Sequence, residues 1–317
     1  MDTVLVWTVR LAAIGLAVIT ACVFAARRWW AFELLTHFRV QYVAAGVVLI
    51  ALALLLGLTW TALAAATAAL PHLIAAKTLF LAPPRPASMN GAASEGPALR
   101  LTTLNLYRAN RHSDRAVAFL REQNPDILVI QEAEHSWLER LHELAAPYPF
   151  AAPAGWRSGG SVLLFSRHPV VHAEPFDIAG PGLDFLRVDL LVDGHRLVLF
   201  PVHLESPESP TGAANRNRQL AALAATVRAV DAPVSIVGDF NVSRWSPYLT
   251  DLLSAAELEN AADGRGWLPT WPTFCPPLGI PIDHVLVNRG ILVSDFMRGP
   301  AVGSDHWPVS VIMRLVL

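Results

Sequence analysis

The sequence predicts an α/β domain of mixed sheets, carried behind an N-terminal transmembrane helical segment. Three observations lead there. Charge is unevenly placed, since residues 1 to 80 hold 7 of the 50 charged residues and residues 81 to 317 hold the other 43. Beyond residue 98, β-rich runs that stop at polar clusters alternate with helical patterns. Two of those runs are joined by Asp193-Gly194, a hairpin signal, while others are separated by helix-length segments, so antiparallel and parallel neighbours are both expected.

Val4 to Ala26 is apolar except for Arg10, and Val40 to Ala76 is 37 residues without Asp, Glu, Lys or Arg. A span needs about 20 residues, so the second run accommodates two helices with a tight turn, and Gly57 to Thr59 is the natural break. The expected spans are Val4 to Phe24, Val40 to Gly57 and Trp60 to Phe80, with Trp29, Trp30 and Trp60 as interfacial anchors and Pro71 kinking the third. No positive n-region precedes the first run, so a retained multi-pass anchor over residues 1–81 is favoured over a cleaved signal peptide. Its few polar residues form no constellation, and it reads as a tether without chemistry. Arg27, Arg28 and Arg39 follow the first span and, by the positive-inside tendency, would place that loop and everything beyond the third span in the cytoplasm.

Residues 82–98, APPRPASMNGAASEGPA, have linker composition. Residues 99–317 then suffice for one catalytic-sized domain. Its expected strands are Leu99 to Leu106, Asp126 to Gln131, Ser161 to Ser166, Phe185 to Val192, Arg196 to Leu204, Val234 to Asp239, His284 to Asn288 and Pro308 to Val316. Helices are expected at Asp114 to Gln123 with Ser113 as N-cap, Trp137 to Ala145, Ala214 to Val230 and Pro247 to Ala256. No GxGxxG or P-loop is present, which removes dinucleotide and Walker-type nucleotide binding. Cys22 and Cys275 provide neither a disulfide framework nor a thiolate zinc site. After Lys77 come 19 arginines, no lysine and 24 acidic residues, a balance of −5 that gives tight nonspecific nucleic-acid binding no support.

The candidate functional residues sit where apolar runs stop: Asn105, Glu132, His203, Asp239 with Asn241, Asp283 with His284, and Ser304 to His306. Asp239 and Asn241, two apart, can share one face of an extended chain, and a backbone-capping turn would use the same residues. Gln131 and Glu132 follow four apolar residues, so Glu132 lies at a core edge and needs a partner, which a salt bridge or a metal would supply equally. Glu205 could orient His203, and Asp283 offers a carboxylate to hold an imidazole in one tautomer. Arg216 and Arg218 are candidate phosphate ligands, but almost every basic residue here is arginine, so composition accounts for them. Together the strand ends offer hard oxygen ligands, a carboxylate able to take a proton from water, two imidazoles and two amides. That inventory suits Mg²⁺-dependent hydrolysis of a phosphate ester or anhydride, with Mn²⁺ as the alternative cation. It lacks a serine nucleophile elbow or a Cys-His pair, so direct attack by water is expected.

The order TLNL, IQEA, VHLES, GDFN, IDHVLVN and GSDHWPV resembles the endonuclease/exonuclease/phosphatase superfamily, whose fold is shared by DNase I, abasic-site endonucleases, inositol phosphatases and neutral sphingomyelinases. The resemblance covers Leu99 to Leu317 and implies a four-layer α/β sandwich, DNase I-like, with helices outside two packed sheets. It implies Glu132 as principal metal ligand with Asn105 nearby and Asp305 beside the metal. Asp239 would orient or deprotonate the attacking water, Asn241 and His203 would contact the scissile phosphate, and His306, held by Asp283, would stabilise the developing charge. His203 is similar to the DNase and sphingomyelinase branches. Three spans before such a domain further resemble the membrane-anchored VanJ/YafD-like subgroup, which implies an extracytoplasmic catalytic domain, against the reading from Arg27, Arg28 and Arg39, and a link to glycopeptide resistance.

The leading expectation is therefore a monomeric phosphoesterase at the cell membrane, with the lipid bilayer and a lipid-linked (undecaprenyl-type) or small phosphorylated substrate as its partners. A membrane-tethered endonuclease or exonuclease is the second reading, and a noncatalytic binding protein on the same fold is the third. The last predicts a lost catalytic side chain, and none of the matched positions is lost.

Overall fold

A computed structural model describes residues 3–81, 96–133, 137–154, 161–177 and 184–316. Most of the expected linker, residues 82–95, lies outside the described residues. The chain starts with α1 (Thr3–Phe24), α2 (Trp30–Leu34), a 3-10 turn at Leu35–Phe38, α3 (Arg39–Leu55), α4 (Thr59–Ala76) and a last turn α5 (Thr78–Leu81). Thr3–Phe24, Trp30–Leu55 and Thr59–Leu81, of 22, 26 and 23 residues, are each long and apolar enough to cross a membrane. Gly46 lets α3 approach α4 closely, since an added Cβ would lie 2.4 Å from the Ala69 Cβ. The polar residues of this bundle do meet: His72 lies 2.9 Å from Thr20 Oγ1 through Nε2 and 3.2 Å from Arg39 Nη1 through Nδ1. Each thereby finds a partner inside the apolar bundle.

The remaining chain alternates strands and helices in the order β1 (Leu99–Asn105), α6 (Ser113–Gln123), β2 (Ile127–Ala133), α7 (Leu138–Ala145), β3 (Phe150–Ala154), β4 (Ser161–Ser166), β5 (Val170–Asp177), β6 (Asp184–Val192) and β7 (His195–His203). It continues with α8 (Pro210–Arg228), β8 (Val234–Asp239), α9 (Pro247–Ala255), β9 (Glu259–Asn260), β10 (Asp283–Val287), β11 (Ile291–Arg298) and β12 (Val309–Leu315). Ser113 is the first helical residue of α6 rather than its cap, whereas Ser209 caps α8 by accepting from Gly212 N. α8 therefore begins at Pro210, ahead of the expected Ala214, as Pro in the first turn favours.

Two six-stranded mixed sheets result, ordered β11-β12-β1-β2-β4-β3 and β5-β6-β7-β8-β10-β9. β1 and β2 are parallel, as are β7 and β8, while β12 and β10 return antiparallel to β1 and β8. Asp193 and Gly194, both at positive φ, close the β6 to β7 hairpin. Leu99, Leu101, Ile127, Val129, Val237, Val285, Val309 and Val311 belong to one apolar core between the sheets. Leu104, Leu128 and Ile130 pack outward on Val117 and Leu120 of α6, and Phe200 and Ile236 pack on Leu220 and Leu223 of α8 and Leu249 of α9. The layers run helix, sheet, sheet, helix, a DNase I-like α/β sandwich.

Candidate active site

Strand parity places the site. β1 puts Leu99 and Leu101 between the sheets, so Asn105 faces the same way at the strand end. The same count carries Val237 to Asp239 on β8, Leu199 to His203 on β7 and Val285 to Asp283 on β10. In register, His203 pairs with Asp239 and Asp239 with Asp283, so all three lie abreast in one sheet. His284, one residue out of phase, faces the helical side, where its ring contacts Asn260 Nδ2 and the Val242 carbonyl at 2.9 and 2.8 Å. That histidine is structural. Gly238 lets β8 approach β7, since a Cβ there would sit 2.0 Å from the Val202 carbonyl oxygen, at a φ of +139° that side chains avoid.

Glu132 breaks the parity. Alternation would send it outward with Leu128 and Ile130, but it adopts φ 55° where the β2 to β4 pairing shifts register between Ile130 and Ala133. The irregularity turns its carboxylate to the site, a known use of a bulge. Asn105 Nδ2 then donates to Glu132 Oε1 at 3.2 Å and to Asp239 Oδ2 at 3.0 Å, joining the two sheets. Arg108 N donates to Glu132 Oε2 at 3.0 Å. Burial would raise the Glu132 pKa, but the charge of His203 and the bonds from Arg108 and Asn105 outweigh it and hold this carboxyl below its ordinary value.

His203 Nε2 stands 3.8 Å from Glu132 Oε1 and 3.7 Å from Asp239 Oδ2, close to both but beyond a direct hydrogen bond. Asp239 accepts from Asn241 N at 2.8 Å. Its pKa is raised, by burial first and by the nearby Asp283 charge, with His306 and His203 opposing. Asn241 sits at φ 49° and gives Nδ2 to the Leu204 carbonyl, which leaves a second amide hydrogen and the carboxamide oxygen for a ligand.

His306 Nδ1 donates to Asp283 Oδ2 at 2.9 Å, and its Nε2 faces Asp239 Oδ2 at 3.6 Å. Burial alone would lower the His306 pKa; the charges of Asp283 and Asp239 overcome it and raise the value to about 10, so the ring is an imidazolium at neutral pH. Its backbone is fixed by Ser304, whose hydroxyl accepts from His306 N and donates to the Asn105 carbonyl. Asp305 Oδ2 accepts from Trp271 Nε1 at 3.1 Å, while its buried Oδ1 has no hydrogen-bond partner among the described residues. Burial raises its pKa, with the charges of Glu132 and Asp239 also acting in that direction.

The eight expected residues thus converge at one end of both sheets. A buried Asp305 oxygen without a partner among the described residues, together with the Glu132 carboxylate, offers hard oxygen donors that fit a divalent cation, with Asn105 beside them bonding Glu132 through Nδ2 and Tyr107 N through Oδ1. Asp239, Asp283 and His306 also bring one potential ligand atom each to within 4.8 Å of one another. There, however, Nδ1 is taken by Asp283 and the ring is charged, and an imidazolium does not ligate a metal.

Several contributors were not expected from sequence. Thr270 Oγ1 accepts from Ile282 N and Asp283 N, Trp271 holds Asp305, and Thr273 N donates to the Asp305 carbonyl. The Pro-rich loop from Thr270 to Pro281 is therefore a brace for the two carboxylates. Arg216 is fully buried, not a free phosphate ligand, and bonds Glu33 of α2 and the Asn241 carbonyl.

A buried carboxylate facing an oriented imidazolium, inside a four-layer sandwich, is an arrangement suited to a phosphoesterase-type hydrolase, and the family match places the chain in that class. The chain belongs to the endonuclease/exonuclease/phosphatase family, whose model matches residues 102–306. It is similar to a Vibrio cholerae protein described as "UPF0294 protein", 27% identical over 234 residues that cover 69% of this chain and 78% of that protein. Among solved structures it is similar to an endonuclease/exonuclease/phosphatase from Bacteroides vulgatus, with a TM-score of 0.59 and 19% identity over 69% of this chain and 99% of that one. It also matches the 3′ phosphatase NExo from Neisseria bound to product DNA hairpin, with a TM-score of 0.54 and 20% identity over 67% of this chain and 98% of that one.

Proposed function

We propose that this protein is a membrane-anchored, Mg²⁺-dependent phosphoesterase that hydrolyses a lipid-linked, undecaprenyl-type phosphate by direct attack of water. The observation that carries the chemistry is Asp239 standing 3.6 Å from Nε2 of a histidine whose other nitrogen is held by Asp283. Asp239 orients the attacking water and takes its proton, a role favoured by its raised pKa. His306 places positive charge where the phosphoryl oxygens gain negative charge, already oriented before the reaction begins. Asn241 and His203 hold the scissile phosphate. Glu132, Asn105 and Asp305 would hold the cation, with Mn²⁺ an alternative to Mg²⁺; when bound, it supplies Lewis-acid polarisation of a phosphoryl oxygen.

The lipid-linked substrate is supported by three apolar helices beside an acidic domain, an arrangement better suited to a phosphate delivered in the bilayer than to a nucleic-acid duplex. We extend the reading to the VanJ/YafD-like subgroup, with a monomeric, extracytoplasmic catalytic domain and a link to glycopeptide resistance. The test is phosphate release from undecaprenyl pyrophosphate with Mg²⁺. Wild type is expected to be active and Asp239→Asn inactive; an inert wild type or a fully active variant overturns the reading. Salt-sensitive cleavage of plasmid DNA by the same preparation would instead assign a tethered nuclease. A C-terminal topology reporter checks the orientation.

A further inference from the structure

The loop that follows Asp239 at the end of β8 carries Asn241, and it rests on the membrane segment. Arg216 Nη2 donates to Glu33 Oε2 at 2.7 Å and to Asn217 Oδ1 at 2.9 Å, while its Nη1 donates to the Asn241 carbonyl at 2.9 Å. The Glu33 and Arg216 side chains are 1% and 0% exposed. Asn241 N, in turn, donates to Asp239 Oδ1. An unbroken chain of contacts thus runs from α2, through α8, to the carboxylate that faces His306.

Two further contacts hold the same loop and a third holds the start of α9. His37 Nδ1 lies 2.9 Å from Ser243 Oγ, Trp245 Nε1 donates to the Ala75 carbonyl at the end of α4, and Arg27 donates to the Pro247 carbonyl. Other contacts between membrane segment and domain fall elsewhere: Gln41 donates to the Gly279 carbonyl, and the Thr78 and Leu79 carbonyls accept from Gly264 N and Gly266 N. Simple docking would be served by those and by the exposed pair of Arg27 with Asp251, which costs little to form and contributes little. A fully buried ion pair is poorly explained as glue, because apolar side chains of equal volume fill such a place at least as well.

We propose that Glu33 and Arg216 are positioning residues, through which the membrane segment fixes the backbone of Asn241 and hence the aim of Asp239. The proposal rests on the phosphoester-hydrolase reading of the site but not on a lipid substrate.

The full-length protein in detergent micelles with Mg²⁺ is assayed on bis(p-nitrophenyl) phosphate, and hydrogen exchange is followed in the peptide covering residues 240–247. Glu33→Gln is expected to lower kcat by about tenfold or more with KM little changed, and to speed exchange in that loop but not in β7 or β8. The double variant Glu33→Met with Arg216→Met, which leaves no buried charge unpaired, is expected to melt close to wild type and still show the low kcat and fast loop. Asp251→Asn, at the same interface but outside the chain of contacts, is expected to behave as wild type. Wild-type kcat in the double variant, or unchanged loop exchange in Glu33→Gln, overturns the proposal. A wild type inert on phosphoesters counts against the hydrolase reading alone, since loop exchange still decides the positioning role.

Discussion

His306 Nδ1 lies 2.9 Å from Asp283 Oδ2, and Asp283 stands directly across the strand pair from Asp239. The carboxylate that holds the ring and the carboxylate that faces it are thus neighbours on adjacent strands. Asp283→Asn keeps the shape but removes the charge that makes the ring an imidazolium. Its kcat is expected to fall by about 10²-fold to 10⁴-fold, as for other oriented acid–base groups, with an unchanged circular dichroism spectrum. A kcat near wild type would remove Asp283 from the site.

The same pair makes stability depend on pH. Despite burial, Asp283 and Asp239 lift the folded His306 pKa from the ordinary 6.5 to about 10. Folding therefore tightens proton binding. The ring's charge contributes its full stability below pH about 6.5 and loses it progressively as pH rises toward about 10. Thermal midpoints of wild type and His306→Asn, measured across that window in detergent, are expected to converge at its alkaline end; parallel profiles would show that the ring is not charged.

Dialysis against EDTA is expected to abolish hydrolysis, and Mg²⁺ or Mn²⁺ to restore it. Glu132→Gln and Asp305→Asn each raise the Mg²⁺ concentration needed for half activity by at least about 10-fold, a loss already typical of supporting groups around a metal. A Mg²⁺ requirement identical to wild type in both would place the cation elsewhere.

Phe274 and Leu278 are 77% and 54% exposed, on the loop whose Gly279 carbonyl accepts from Gln41 at the start of α3. Under the lipid-substrate reading these side chains face the bilayer surface. Phe274→Asp is expected to reduce turnover of vesicle-embedded undecaprenyl pyrophosphate by about tenfold, equivalent to 1.4 kcal/mol, and to leave bis(p-nitrophenyl) phosphate hydrolysis unchanged. Equal loss on both substrates would make the effect structural.

Gly238→Ala drives a methyl group into the Val202 carbonyl beside Asp239. A destabilisation of about 3 kcal/mol or more is expected, with activity lost as well, and calorimetry measures it. A neutral substitution would mean that β7 and β8 are free to separate.

The interior of the fold was legible in the sequence, and its borders were not. All eight expected strands form, while among the described residues the four that periodicity did not disclose, β3, β5, β9 and β11, are the four sheet edges. β11 buries few of its residues and β9 has only two, so neither shows a sustained alternation of apolar and polar side chains. The convergence of the candidate residues was legible because they end apolar runs, and the ordered set resembles one family. What supports them was hidden: the turn of Glu132 toward the site depends on an irregular pairing with β4, and Glu33 meets Arg216 across 183 positions of chain. Neither local propensity nor spacing encodes such a partner. The polar residues of the tether looked unconnected for the same reason.

The buried junction between α2 and α8 also bears on how the protein can be handled. A fragment starting at Leu99 would keep both sheets and every expected site residue, yet it would uncover Arg216 and cut the support under residues 240–247. Under the positioning proposal, substrate screens run on such a fragment would sample a site in which the Asn241 backbone, and with it Asp239, has lost its backing. On that proposal, a negative result from the fragment would have to be repeated on the full-length chain before it counted against a substrate.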